Sequence, residues 1–284
     1  MVRHHQRGAA LLLVVALILI LGASTLIVRQ LQFVQRTTDR ATTTKQRLLA
    51  VENAMARFVS VNRRLPCPAD GRTSSTAVGA GTEQRLTGDC TLPDFGVLPW
   101  VALQLVEQDV TDGWGGRFTY RVPTGATGFT RDGAFNMSSC ATAGSAVAES
   151  IGSVIVCRAR TTFPCPLASE CTSPANYLVN RGLMVRDGTG VILMNPATNT
   201  GAAYVVISAG ENRGGAFLPV GVIATTEGTA LGNGETINRN NQAAQANYVD
   251  AIRDTSATAT HFDDLILRPT ITSVLSAASL GPRP

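Results

Sequence analysis

From Ala9 to Val28 the chain reads AALLLVVALILILGASTLIV, twenty residues without a charge. A helix rises 1.5 Å per residue, so the run spans about 30 Å, the thickness of a bilayer's hydrocarbon core. A buried core helix is seldom this long and this uniformly apolar, so the run reads as a membrane span. Arg3 and Arg7 precede it. Basic residues mark the cytoplasmic side, which sends the rest of the chain across the membrane. The alternative to an anchor is a cleaved secretory signal, for which Gly22, Ala23 and Ser24 offer a cut. Two features favour the anchor. The run is long for a signal, and Leu26–Val61 continues it with neither Pro nor Gly.

That continuation is expected to be helical. Leu48, Val51, Met55, Phe58 and Val59 recur at three- and four-residue spacing and form one apolar stripe. Arg63 and Arg64 put cations near its end, and Pro66 stops it. One helix from Ala9 to Asn62 would measure roughly 80 Å. The expected organisation is a leader at 1–8, a membrane helix at 9–28, an outer helix half at 29–64 and a globular domain at 65–284.

Charge divides along the same line. Residues 1–64 carry ten Arg/Lys against Asp39 and Glu52, whereas residues 65–284 carry fourteen Arg against eighteen Asp/Glu. The overall balance of +4 gives no electrostatic footprint for nucleic acid, and none is expected as a partner.

Beyond the helix, short apolar runs alternate with Gly-, Asn- and Asp-rich turns, such as Arg186-Asp-Gly-Thr-Gly190. Strands are expected at Phe118–Val122, Ser153–Cys157, Tyr177–Val185, Val191–Met194, Ala203–Ser208, Val220–Thr225 and Leu265–Ile271. Leu98–Val106 and Gln242–Ile252 are expected as short helices. The stretches 70–95, 124–150 and 227–248 read as long loops, the last of them mobile around Gly228–Asn241. No helix-length amphipathic segment alternates with the strands, which argues against parallel βαβ units. The fold class is therefore α+β, one long helix laid on a mainly antiparallel sheet.

Cys67, Cys90, Cys140, Cys157, Cys165 and Cys171 all follow the apolar span, and an even number in an exported segment favours disulfides. Six cysteines allow 15 pairings. Neighbours in sequence are the simplest choice: Cys67–Cys90, Cys140–Cys157 and Cys165–Cys171. A zinc site is disfavoured, because no C-x₂-C pair exists and His261 is the sole His after the span. The chain lacks H-E-x-x-H, G-x-S-x-G, G-x-G-x-x-G and a P-loop, and no enzyme activity is expected.

Several stretches carry a resemblance. The start, RHHQRG followed by the apolar run, resembles the N-terminus of type IV pilins and type II secretion pseudopilins. In that family a prepilin peptidase cuts a short basic leader after Gly. The resemblance implies Gly8 as the last leader residue and Ala9 as the first mature one. Further points follow in order: Arg64-Leu-Pro-Cys-Pro-Ala-Asp-Gly71, Asp112-Gly-Trp-Gly115 entering a strand, Tyr204-Val-Val-Ile-Ser-Ala-Gly210, and Phe262-Asp-Asp-Leu-Ile266. They resemble pilin-like proteins with an LPCPA motif, the D-P-W-G turn of the major pseudopilin, and that family's S-x-G and F-D-D strands. The chain departs from the major pilins at the mature start, where Ala9 stands in place of the usual Phe or Met, and at the fifth mature position, where Leu13 replaces the usual Glu, which some minor tip-located members similarly lack. The resemblance also raises calcium, since major pseudopilins bind it, with Asp109 and Asp112 as weak candidates. The competing reading makes Asp112 a turn cap and Asp263 and Asp264 exposed strand charges.

The function expected from the resemblance is a minor pilin or pseudopilin without a cofactor. It would sit in the inner membrane with a periplasmic domain and then move into a pilus or pseudopilus filament, at or near its tip. Its partners would be other subunits and prepilin peptidase. The alternatives are a membrane-anchored periplasmic binding domain that does not polymerise, and an exported hydrolase using the Asp pairs.

Overall fold

The computed structural model describes residues 5–86, 88–92, 96–125, 128–138, 146–151, 154–159, 177–239, 247–255 and 259–282. Helix α1 runs from His5 to Asn62 without interruption, 58 residues in all. It starts four residues earlier than the apolar run, because nothing in His5-Gln6-Arg7 breaks a helix and a single Gly8 is tolerated inside one. The chain separates into two compact units, residues 1–42 and 43–284. The final turns of α1 thus belong to the globular unit.

Within that unit α1 buries the face its spacing predicts. Thr44, Val51, Met55 and Val59 are fully enclosed, Leu48 nearly so, and Phe58 packs partly buried against the same core. Steps of three and four residues keep these side chains on one side of the helix. They meet Leu98, Phe118, Tyr120, Tyr204 and Val206 in the main core.

The sheet beneath is built from short strands, numbered here in chain order: β1 (Ala69–Asp70), β2 (Arg85–Leu86), β3 (Asp89–Cys90), β4 (Gly96–Val97), β5 (Thr119–Arg121), β6 (Ala146–Ile151), β7 (Val154–Ala159), β8 (Val185–Arg186), β9 (Ile192–Met194), β10 (Val205–Ser208), β11 (Tyr248–Val249) and β12 (Leu265–Leu267). Five strands in the order β1-β4-β5-β10-β12 form an antiparallel sheet. A second sheet, ordered β11-β8-β9, contains one parallel pair, β11 with β8. β2–β3 and β6–β7 are separate hairpins.

β10 stands between two cores. Successive side chains of a strand point to opposite faces. Tyr204 and Val206 enter the core shared with α1, while Val205 and Ile207 enter a second core with Val185, Met194, Ala202 and Tyr248. The layers are therefore helix, five-stranded sheet and three-stranded sheet. The layout is α+β with mainly antiparallel pairing.

Several local expectations change. Tyr177 and Leu178 are helical, and strand structure begins again at Val185. The Tyr177 hydroxyl is drawn inward, donating to Ala134 O at 2.6 Å. Leu98–Val106 forms turns ended by Gln104 in the left-handed region (φ 57°), and a 3-10 turn at Glu107–Val110 follows. The segment Gly228–Asn241, expected as a mobile loop, contains helix α2 (Asn233–Arg239). Glu235 accepts a hydrogen bond from Gly232 N (3.1 Å), half of a capping box that starts the helix. Tyr248–Val249 is a strand where a helix was expected, Val220–Thr225 offers only a bridge at Ile223 among the described residues, and α3 (Ile271–Ala277) follows β12.

The segment after α1 is pinned by polar contacts. Arg64 grips Glu83 with two nitrogens, at 2.6 and 2.9 Å, and Cys67 N donates to the same carboxylate at 2.9 Å. Burial pushes the Glu83 carboxyl upward, but the Arg64 and Cys67 hydrogen bonds and the charges of Arg64 and Arg85 outweigh it, leaving it below its ordinary value of 4.5. A carboxyl depressed in the folded state stabilises that state above its unfolded pKa and loses the contribution as pH falls through the folded one. Glu83→Gln is therefore expected to melt at a lower temperature than the parent near neutrality. The gap should close as the pH drops below 4.5. Thermal melts across the acid range check this; a gap that is constant with pH would refute it.

Candidate functional site

In the first unit the candidate site is the surface of α1. Val14–Val28 presents Leu17, Ile18, Leu19, Ile20 and Leu26, each at least 60% exposed, and Phe33 and Val34 continue the apolar face. None of the most apolar window is buried. A monomeric protein seldom leaves so much contiguous apolar surface in water. Ser24 and Thr25 turn their hydroxyls back onto the carbonyls of Ile20 and Gly22, which hides those polar groups inside the helix. By length and composition α1 can cross a membrane once. Gly8 and Ala9 lie within the helix, and the surroundings of their side chains, like those of Leu13, fall outside the described residues.

In the second unit the motifs at 112–115, 204–210 and 262–266 meet in one buried polar region. Asp112 caps its own turn: Oδ1 accepts from Trp114 N (2.9 Å) and Gly116 N (2.8 Å), and Oδ2 accepts from the Ser208 hydroxyl (2.8 Å). Gly115 carries the positive φ of 88° that closes the turn. Arg47 on α1 donates to Thr111 O at 2.7 Å, and Thr44 Oγ1 accepts from Gly113 N at 2.9 Å, docking the turn on the helix. The Asp112-Gly-Trp-Gly turn and the Ser208-Ala-Gly stretch, separated in sequence, are thereby joined. Desolvation raises the Asp112 carboxyl above its ordinary value despite the hydrogen bonds from Ser208, Gly116 and Trp114.

Asp109 and Asp112 do not make a cation site together. Asp109 receives Val106 N at 3.3 Å within the 3-10 turn, and both oxygens of Asp112 are occupied by donors. Asp263 and Asp264, expected as exposed strand charges, are 5% and 8% exposed. Both are enclosed by α2 and by the loop after β10. Asp264 pairs with Arg239 and accepts from Asn238 Nδ2 at 3.0 Å. Asp263 Oδ2 accepts from Glu211 N (3.0 Å) and Asn212 N (2.9 Å). Gly210 has φ 61°, and a side chain there would collide with Asp263, so the loop closes over this carboxylate only with glycine.

Burial is the main force on Asp263. It pushes the carboxyl up to about 7, with the neighbouring Glu235 and Asp264 charges in the same direction and the Asn212 N–H opposing. Glu235, which sequence reasoning did not single out, is fully buried beside it and accepts from Asp263 N (2.8 Å) and Asn212 Nδ2 (2.9 Å). His261 Nε2 lies 3.6 Å from Asp263 Oδ2 and 3.9 Å from Glu235 Oε1. Glu235, His261 and Asp263 are the group of potential metal donors that the described residues bring together.

Cys67 and Cys90 form the expected disulfide, with Cα atoms 5.2 Å apart. Cys140, Cys165 and Cys171 lie outside the described residues, as does the side chain of Cys157, and with them the two other expected pairs. No family model, no curated protein and no solved structure matches the chain.

Proposed function

We propose that the chain is a pilin-like assembly subunit, a minor pilin or pseudopilin of a type IV pilus or type II secretion system. The observation that carries the reading is the apolar surface of α1 from Val14 to Val28, exposed at every residue. A helix of that kind is stable in lipid or against other apolar helices, and a filament subunit needs both environments in turn. The basic leader ending at Gly8 and the ordered motifs at 64–71, 112–115, 204–210 and 262–266 support the family resemblance. The globular unit then stays in the periplasm until the helix leaves the membrane for the filament core.

Leu13 supports a place at or near the tip. A carboxylate at that position would have to find a partner inside the apolar core, at a cost of about 2–3 kcal/mol if it failed. A subunit with no neighbour above it has no such partner to supply. Quantitative mass spectrometry of sheared filaments should find this chain in few copies, and finding it as the most abundant subunit overturns the tip position.

The reading as a whole is tested by processing. Co-expression with a prepilin peptidase should yield a chain that begins at Ala9, and Gly8→Val should block the cut, because the peptidase requires a residue without a side chain there. A mature N-terminus near Thr25 would instead mark a secretory signal and remove the assembly function.

A further inference from the structure

The cluster beneath the loop after β10 has no part in assembly through α1, yet it gathers more negative charge than a buried site holds unaided. Glu235, Asp263 and Asp264 are all at most 8% exposed. Arg239 is the guanidinium that meets them. It is committed to Asp264, to Ala209 O (2.8 Å) and to Asn212 Oδ1 (2.9 Å). A buried carboxylate without a matching cation is costly, and such groups are paired, coordinate metals or take up a proton that a metal can replace.

The geometry of the donors fits an ion. The potential ligand atoms of Glu235, His261 and Asp263 lie within 4.8 Å of one another. His261 Nε2 stands 3.6 Å from Asp263 Oδ2 and 3.9 Å from Glu235 Oε1. Ligands held tetrahedrally at the usual Zn–N and Zn–O distances are about 3.4 Å apart, so a small contraction suffices.

A separate observation points the same way. Asp263 Oδ1, the oxygen beside Gly210 and not the one nearest His261, receives no N–H or O–H donor although the residue is 5% exposed, and the Asp263 and Glu235 carboxyls meet each other directly. Buried polar atoms left this way call for an explanation, and an ion is one that the surrounding acceptors permit. The outer contacts also resemble those of a prepared site. Glu235 is oriented by Gly232 N, Asn212 Nδ2 and Asp263 N, and Asp263 by two backbone N–H groups of the loop. Such bonds fix ligand orientation and raise affinity. Of the three residues His261 also lines a cavity of about 330 Å³, together with Asn233, Gly234 and Thr260.

We propose that Glu235, His261 and Asp263 bind one divalent first-row transition ion of the zinc class, which ties α2, the loop after β10 and the approach to β12 into one structure. The imidazole sets the class. Calcium takes six to eight oxygen ligands and gains little from nitrogen, whereas one imidazole and two carboxylates suit zinc and its neighbours. Three protein ligands leave a further position open for water. Zinc is disfavoured in the sequence by the absence of a C-x₂-C pair and by the single His after the span; this donor set needs no cysteine and uses that one imidazole with two carboxylates.

The test uses the full-length chain in detergent, stripped with a chelator and titrated with zinc chloride. One equivalent per chain should bind and raise the melting temperature, and His261→Gln should weaken binding by about 100-fold or more. Glu235→Gln should weaken it too. That variant risks misfolding, because the carboxylate accepts three hydrogen bonds. A measurement on the parent protein therefore stands beside it. Zinc X-ray absorption should show nitrogen and oxygen donors with imidazole scattering, and His261→Gln should lose that scattering. No binding overturns the proposal. So do sulfur donors, binding that persists in His261→Gln through His4 and His5, or calcium displacing zinc at equal concentration. Cleavage at Gly8 is untouched by any of these results, so this inference and the assembly reading fail separately.

Discussion

Alanine in place of Arg117 is expected to destabilise the globular unit by about 3–5 kcal/mol, a large fraction of the stability of an ordinary domain. Arg117 is 1% exposed, and its guanidinium is a junction for three segments distant in sequence. Nη1 donates to Gly71 O (3.0 Å) and Thr73 O (2.8 Å), Nη2 to Ser75 Oγ (3.1 Å) and Pro219 O (3.2 Å), and Nε to Glu107 Oε1 (2.7 Å). It also stacks 5.0 Å from the ring centre of Trp100. Removing it leaves the buried Gly71 carbonyl without its donor and loosens the half-buried Glu107, Thr73 and Pro219 acceptors at once, and each acceptor left unpaired carries a desolvation cost. Lysine should restore little, because a single ammonium cannot serve a planar fork with acceptors on several sides. Denaturant unfolding checks the size of the effect. A loss below about 1 kcal/mol, the value of an exposed ion pair, would show that these contacts are not made in solution.

Loss of the Cys67–Cys90 bond is expected to be the next largest effect. The cysteines are 23 residues apart. Closing a loop of that length in the unfolded chain is worth about 3 kcal/mol by the loop-entropy relation. The same loop holds Glu83, so the bridge also limits how far the Arg64–Glu83 pair can separate. Cys67→Ser with Cys90→Ser should lower the unfolding midpoint accordingly. Reductant should lower the midpoint of the parent by more than it lowers that of the variant, which keeps Cys140, Cys157, Cys165 and Cys171. Equal responses to reductant would assign the stabilisation to other cysteines.

Much of the frame was legible because it rests on periodicity. The stripe at Leu48, Val51, Met55 and Val59 is an arithmetic of 3.6 residues per turn, and burial follows it residue by residue. The Arg186–Gly190 turn was legible for a local reason. Asp187 Oδ1 accepts from Thr189 N and Val191 N, both at 2.9 Å, which a D-G-T-G stretch between apolar runs already suggests. α3 was missed although its signal was present. Thr270 Oγ1 accepts from Ser273 N (3.0 Å) as an N-cap, but the strand expected at Leu265–Ile271 takes in the cap and the first helical residue, both β-branched.

The polar cluster was not legible, and the reason is instructive. Glu235 sits in a Gly- and Asn-rich stretch whose composition reads as loop, and nothing local reveals that its carboxylate is fully buried. Its partners His261 and Asp263 are more than twenty residues away, joined by tertiary packing and not by a spacing rule. Asp263-Asp264 next to an apolar strand looks like a solvated edge until Arg239 and Asn238 are seen to enclose it. Gly232 three residues before Glu235 was the one sequence clue, as half of a capping box.

The strand β10 has a consequence for how the globular unit comes apart. Because Val206 belongs to one core and Val205 and Ile207 to the other, neither core possesses a wall of its own there. Melting the outer sheet would expose the far side of the strand that closes the α1 core, and pulling α1 away would uncover the other. The two cannot fail in sequence as independent modules. The two cores are therefore coupled through β10, and a pull that strips α1 from the first is felt in the second.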